Sequence, residues 1–94
     1  MPSIEELRKA IDEIDGGLVL LLRRRIGVAL EIGKYKRGMG LPVYDPSREE
    51  AVLEGAAERA RSCGLNPDLY KEVQRAIIRL CRSAEEGERG QESV

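Results

Sequence analysis

The sequence predicts an all-α protein with three helices per chain, the first of them very long, that forms an intertwined helical homodimer. Three observations favour this fold. The 94 residues are 41% hydrophobic and 35% charged and include no Phe or Trp, a composition typical of helical proteins. Apolar residues recur every seven positions in the first third of the chain. Two later segments each begin with a capping residue followed by proline.

The first helix is predicted from about Ser3 to Lys36, with Ser3 as its N-cap and Glu6 as the capping-box partner. A break would fall at Gly16 and Gly17, but we expect tertiary packing to keep the helix continuous. The seven-residue apolar repeat, which we call the seam, consists of Ile4, Leu7, Ile11, Ile14, Leu18, Leu21, Val28 and Ile32.

The length of this helix is the argument for a dimer. At 1.5 Å per residue, a helix of about 34 residues is about 50 Å long, whereas a compact chain of this size has a radius of gyration of about 12 Å. Two shorter helices cannot cover a seam of that length. We therefore expect a second copy of the chain to cover it.

The two shorter helices have clear starting signals. The second is predicted to begin after Asp45, with proline as its first residue, and to end near Cys63. The third is predicted to begin after Asn66, again with proline first, and to run to Gly87. The loop RGMGLPVY, rich in glycine and proline, separates the first two helices.

Composition and charge limit the classes of function. We expect one domain over residues 1–86 and a disordered acidic tail over residues 87–94. The formal net charge of −1 favours neither nucleic acid nor a membrane surface as a partner, and no apolar run is long enough to cross a bilayer.

The two cysteines are expected to be reduced thiols in the cytoplasm. Because the chain has no His, it lacks the commonest general base, and we expect neither a metal nor a cofactor.

Six cations and one anion lie within residues 23–37, and two of the cations face the seam side. Arg25 occupies a seam position, where an unpaired guanidinium would be very costly, so it needs an anion. That anion is either a glutamate of another helix or a bound ligand. Lys36 follows eleven residues later, within about 20° of Arg25 around the helix and about 16 Å along it. The cations expected to be solvated are Arg23, Arg24 and Lys34.

Further polar residues share faces on the other two helices. Asp45, Arg48 and Glu49 lie at i, i+3 and i+4. Their ordinary interpretation is an N-cap and a surface ion pair. In the third helix Cys81 lies on the apolar side, where a small buried thiol is common. Glu85 follows the same stripe onto the inner face, where a carboxylate is unusual.

Four motifs occur in one order along the chain: LR at residues 7–8, L-L-x-R-R-x-x-x-A-x-E-I-G-x-Y-K at 21–36, V-Y-D-P-S-R-E-E at 43–50, and I-I-x-x-C-x-x-x-E at 77–85. In this order and spacing the chain resembles the all-helical (AroQ-type) chorismate mutases. The resemblance implies an enzyme that converts chorismate to prephenate by a Claisen-type [3,3] rearrangement, on the route to Phe and Tyr. It also implies three helices per chain in an interlocked dimer with two equivalent sites.

The resemblance implies roles for the cations. Arg25 should pair with one substrate carboxylate, and Lys36 should donate to the ether oxygen of the breaking C–O bond. Arg8 of the other protomer should contact a carboxylate as well. Within one helix, Arg8 lies about 25 Å from Arg25 and on a different face, so one small dianion cannot touch both. Bidentate arginines suit carboxylates, and a lysine point charge suits the oxygen.

The resemblance also implies roles for the other polar residues. Asp45, partly through its backbone, should join Arg48 and Glu49 in a wall around the ring hydroxyl, with Glu49 as its acceptor. Cys81 stands where many members have a hydroxyl near the ring carboxylate. Glu85 should make the second hydrogen bond to the ether oxygen, for which it must be protonated. We therefore expect turnover to decline as the pH rises.

Two other functions fit parts of the pattern. Isochorismate-pyruvate lyases have the same fold and a similar cationic pocket, although Glu49 at the ring hydroxyl position favours the mutase. The second is a helical dimerisation or regulatory module without chemistry. We expect no allosteric domain within these 94 residues, so control by Phe or Tyr would need a partner, such as a larger shikimate-pathway synthase.

Overall fold

Residues 1–92 form an elongated all-helical structure. The computed structural model describes the backbone of these residues and the side chains of residues 1–87. The described residues form three α-helices and no strand: α1 (Ile4–Gly38), α2 (Pro46–Ser62) and α3 (Pro67–Glu92). The described chain measures 57 × 30 × 15 Å, and its longest dimension exceeds the other two because α1 alone has 35 residues. The predicted all-α class and the long first helix are confirmed.

The ends of α1 follow from local signals. The Oγ atom of Ser3 accepts a hydrogen bond of 3.1 Å from the backbone N–H of Glu6, so the predicted N-cap is confirmed. The helix continues through both of its central glycines without a break. At its C-terminus Gly40 has a φ of +71°, and the N–H of Leu41 donates to the carbonyl of Lys36 at 2.8 Å. This capping turn reverses the chain beside the last turn of α1.

The predicted starts of α2 and α3 are confirmed. Asp45 Oδ1 accepts from the N–H of Arg48 at 3.1 Å, and Asn66 Oδ1 accepts from the N–H of Leu69 at 3.1 Å. In both helices proline is the first helical residue, where a missing N–H costs nothing. Gly64, with a φ of +77°, forms the turn that ends α2 and leads into α3.

The end of α3 differs from the prediction. The helix continues to Glu92, beyond the end predicted at Gly87. One glycine inside a helix costs only about 1 kcal/mol relative to alanine, and no proline follows it, so it does not stop the helix. Residues 93 and 94, and the side chains from residue 88 onward, lie outside the described residues. The disordered acidic tail over residues 87–94 therefore stays a prediction.

The small core lies along α3, which packs against both α2 and α1. Its buried apolar residues are Ala56, Ala57 and Ala60 of α2 and Cys81 of α3. These side chains are small, so the backbones of α2 and α3 can approach closely. Gln74 of α3 is buried as well. This packing fixes α2 and the C-terminal half of α1 on either side of α3.

The seam of α1 is not covered within the chain. Its eight apolar residues are between 50% and 62% exposed. An uncovered apolar stripe of this length is unusual for a monomer in water and is typical of a surface that another element covers. Among the described residues, no helix is long and apolar enough to span a membrane.

Candidate active site

A cavity of about 580 Å³ lies where the three helices meet the loop between α1 and α2. It contains seven of the eight residues that the sequence placed in a site: Arg25, Lys36, Asp45, Arg48, Glu49, Cys81 and Glu85. Residues from all three helices and the first loop therefore converge on one space. Apolar side chains fill the wall between the charged groups, namely those of Val28, Ala29, Ile32, Val43, Val52 and Ile78.

Arg25 is half-buried in the cavity wall, and its Nη1 donates to Sγ of Cys81 at 2.9 Å. The sequence allowed either a glutamate of another helix or a bound ligand as the anion for Arg25. No described carboxylate forms an ion pair with Arg25, so the glutamate is absent. A thiol is a weak, neutral acceptor and occupies only one of the five N–H donors of a guanidinium. The remaining donors, and the whole charge, are available to an anion in the cavity.

Lys36 lies on the same face of α1 as Arg25, as the helical spacing predicted, and is half-buried. Ala29 and Ile32 line the cavity between the two cations, which leaves room for a ligand to contact both. The neighbouring cations behave differently. Lys34 is exposed and lies 4.0 Å from Glu31 in an i,i+3 pair. The arginines just before Arg25 are also exposed, as predicted.

The N-terminus of α2 forms the opposite wall. Asp45 is the N-cap, so the ordinary interpretation of this residue is confirmed, and it also lines the cavity. The expected ion pair within the helix does not form. Glu49 instead pairs across the fold with Arg82 of α3, whose Nη2 donates to Glu49 Oε1. Arg48 lines the cavity without an ion pair to any described carboxylate.

Arg82 is a cavity residue that the sequence analysis missed. Its guanidinium carbon lies 4.8 Å from the centroid of the Tyr44 ring, so it stacks on an aromatic face while it pairs with Glu49. One signal could have revealed it. Arg82 comes four residues after Ile78, on the same helical stripe that continues to Glu85. The family motif specifies no residue at this position, so the resemblance gave no reason to consider it.

The remaining α3 residues complete the site. Cys81 is 5% exposed and occupies the apolar side of α3, as predicted. Glu85 lies one turn further and is half-buried in the cavity wall. The described lining residues carry four cations and four carboxylates, which are Arg25, Lys36, Arg48, Arg82, Asp45, Glu49, Glu85 and Glu86. The charges of one chain alone therefore balance, with the cations of α1 on one side.

Arg8 is the one predicted site residue that the chain does not bring to its own cavity. It lies in the second turn of α1 and is exposed. Seventeen residues separate it from Arg25, which corresponds to about 25 Å along the helix axis. The rigid helix between them prevents both side chains from reaching one small ligand.

Comparison with known proteins identifies relatives of this chain. Residues 7–86 match the family model for chorismate mutase type II. The chain is 35% identical over 76 residues to the chorismate mutase of Methanocaldococcus jannaschii, with 81% of this chain and 77% of that protein covered. It is 34% identical over 81 residues to the 4-amino-4-deoxychorismate mutase of Streptomyces venezuelae, with 85% and 79% covered.

The chain is also similar to part of much longer proteins. It is 35% identical over 79 residues to the T-protein of Haemophilus influenzae, with 84% of this chain but only 21% of that protein covered. The chain thus spans about a fifth of the length of such relatives.

Proposed function

The chain belongs to the chorismate mutase type II family, and we propose that it isomerises chorismate to prephenate by a [3,3] Claisen-type rearrangement. The observation that carries the proposal is the set of seven predicted residues around one cavity. Arg25 and Lys36 lie on one wall, and Glu49 and Glu85 come from the two other helices. A pericyclic step needs no nucleophile and no proton acceptor. It needs a flexible dianion held in its reactive shape and stabilisation of the charge that develops on the ether oxygen.

The α1 cations supply the strongest interactions in this mechanism. Arg25 pairs with one carboxylate of the substrate and is oriented by its hydrogen bond to Cys81, which leaves donors free for a bidentate contact. Lys36 donates to the ether oxygen, where negative charge grows as the C–O bond breaks. Because the cavity wall between these residues is apolar, the two charges act in a medium that screens them less than water does.

The residues of α2 and α3 hold the other end of the substrate. Glu49 accepts a hydrogen bond from the ring hydroxyl, and Asp45 and Arg48 form the wall beside it. Cys81 is close to the ring carboxylate. Glu85 donates the second hydrogen bond to the ether oxygen in its protonated form, because a carboxylate has no proton to donate and would repel the developing charge.

We propose that the functional unit is an intertwined homodimer. Its support is the seam, which stays at least half exposed over eight residues of α1 in the single chain. A second copy offers an identical stripe of equal length, and such self-complementary contacts are the rule in two-fold dimers. The partner's α1, running antiparallel, would bring its Arg8 to the cavity that the first chain leaves without that residue.

The partner's Arg8 also improves the charge balance of the site. The lining residues of one chain sum to zero, with four cations and four carboxylates. Arg8 from the partner raises this sum by one. The shared site then offers a net positive charge to a substrate with two negative ones. Complementarity of this kind aids capture and orientation of the dianion.

The substrate and the further partners of the protein are also part of the proposal. Two relatives are named 4-amino-4-deoxychorismate mutases. That compound differs from chorismate in the ring substituent, so it is the second substrate to compare with chorismate. A larger enzyme of the shikimate pathway is a further proposed partner. Its support is that this chain corresponds to about a fifth of several longer relatives, which combine such a segment with other sequence.

The proposal is tested by a matched pair of lysine variants. The purified chain is incubated with chorismate, and both the loss of chorismate absorbance and the prephenate formed are measured. Lys36→Ala should reduce kcat by about two to three orders of magnitude, the usual effect of removing a preorganised donor at a developing oxyanion. Lys34→Ala removes the same charge from an exposed position two residues away and should leave kcat unchanged. Equal activity of the two variants would contradict the role of Lys36.

A further inference from the structure

The ion pair between Glu49 and Arg82 joins α2 to α3 at the cavity wall. The guanidinium is held from two sides, by the carboxylate and by the face of the Tyr44 ring at 4.8 Å from its centroid. The side chains of Glu49 and Arg82 are 30% and 42% exposed. Their charges therefore face both solvent and cavity and are only partly screened. Any group that contacts Glu49 from inside the cavity meets a carboxylate that already has a cationic partner.

This pairing affects the two candidate ring substituents differently. A hydroxyl donates one hydrogen bond and accepts others, so it can donate to Glu49 while it accepts from a nearby guanidinium or water. An aliphatic amine is largely protonated near neutral pH and then only donates. It would be attracted by Glu49 but repelled by Arg82. A second cation, Arg48, lines the same cavity and adds to the repulsion.

We propose that Arg82 is a specificity-determining residue that makes this site select a neutral hydroxyl over a cationic amine on the substrate ring. The inference rests on the proposed function, because it takes Glu49 as the contact of the ring substituent. Arg82 acts through the charge that it adds beside Glu49 and through the orientation that it gives this carboxylate. It takes no part in the bond rearrangement.

The size of the effect follows from the charge removed. An ammonium in contact with Glu49 would stand about 6 Å from the guanidinium, and an effective dielectric constant of about 20 to 40 suits a partly exposed pair. One unit charge at that distance changes relative affinity by about tenfold to a hundredfold. The hydroxyl substrate is neutral at this point and should respond much less.

The test compares kcat/KM for chorismate and for 4-amino-4-deoxychorismate in the same preparation of each full-length variant. Arg82→Met and Arg82→Gln remove the charge and should shift the ratio at least about tenfold towards the amino substrate. Arg82→Lys retains a cation and should keep the ratio within about threefold of the original chain. Arg59→Met removes an equal charge from an exposed position in the last turn of α2, away from both Glu49 and the cavity, and should not change the ratio.

The ratio separates specificity from folding, since the fraction of folded enzyme cancels when both substrates are measured in one preparation. Turnover of chorismate with an unchanged ratio in both neutral variants would overturn the inference and leave the proposed function intact. An equal shift in Arg59→Met would overturn it as well, because the effect would then be a general one of charge. A chain that converts neither substrate would refute the proposed function and the inference together.

Discussion

A mixture of two inactive variants should recover activity if each site is shared between two chains. The perturbations are Arg8→Ala and Arg25→Ala. Arg25 lines the cavity of its own chain, whereas Arg8 lies about 25 Å away along the same helix and cannot reach it. Each variant alone should lose about two to three orders of magnitude in kcat/KM, because every site in its homodimer lacks one carboxylate-binding arginine.

The expected recovery follows from this geometry. In a mixed dimer, one site combines the intact Arg25 of the Arg8→Ala chain with the intact Arg8 of the Arg25→Ala chain. The other site lacks both arginines. Random reassembly of equal amounts makes half of the dimers mixed, and each of these has one working site of two. The mixture should therefore reach about a quarter of the activity of the original chain.

The assay is co-refolding of the two variants from denaturant, followed by measurement of chorismate turnover per chain. Arg25→Ala mixed with Lys36→Ala is the matched control. Both residues line the cavity of one chain, so no mixed dimer has a complete site and no recovery is expected. Recovery in the control, or none in the Arg8→Ala mixture, would refute the shared site.

Three further predictions concern protonation, capping and the seam. Glu85→Gln supplies a donor that needs no proton uptake, so the decline of kcat with rising pH should flatten in this variant; an unchanged pH profile would remove Glu85 from its proposed role. Asp45→Ala and Asn66→Ala each remove an N-cap and should lower the free energy of unfolding by about 1 kcal/mol in denaturant titrations. Only Asp45→Ala should also raise the KM for chorismate. An equal rise in the KM of Asn66→Ala would contradict the placement of Asp45 in the site. Leu18→Glu should convert the dimer to monomer in sedimentation experiments, whereas Leu20→Glu, which alters an exposed residue off the seam, should not.

The elements of the fold were predictable because their signals are local. Ser3, Asp45 and Asn66 each cap a helix by a hydrogen bond to an N–H three residues later, so a few residues of sequence suffice to locate the helix start. The end of α3 was misjudged because Gly87 is a weak stop without a following proline. The free-energy cost of one glycine does not by itself decide where a helix ends, because the helical turns beside it can extend the helix across it.

Part of the site was predictable from helical periodicity. The spacing of Arg25 and Lys36 defines a shared face on any regular helix, and both residues line the cavity. The pairing of Glu49 with Arg82 was not predictable in this way. Its partners are 33 residues apart, on different helices, and the contact depends on how α2 packs on α3. The sequence pattern suggested only a surface ion pair among the first residues of α2 and gave no sign of a partner on α3.

The identity of the product from chorismate tests the central claim most directly. The purified chain is incubated with chorismate, and chorismate, prephenate and pyruvate are quantified in one sample over time. The cavity chemistry predicts one prephenate for each chorismate lost, with no pyruvate, since the rearrangement conserves every atom of the substrate. Loss of chorismate with release of pyruvate, or an intact substrate after prolonged incubation with the folded protein, would contradict it.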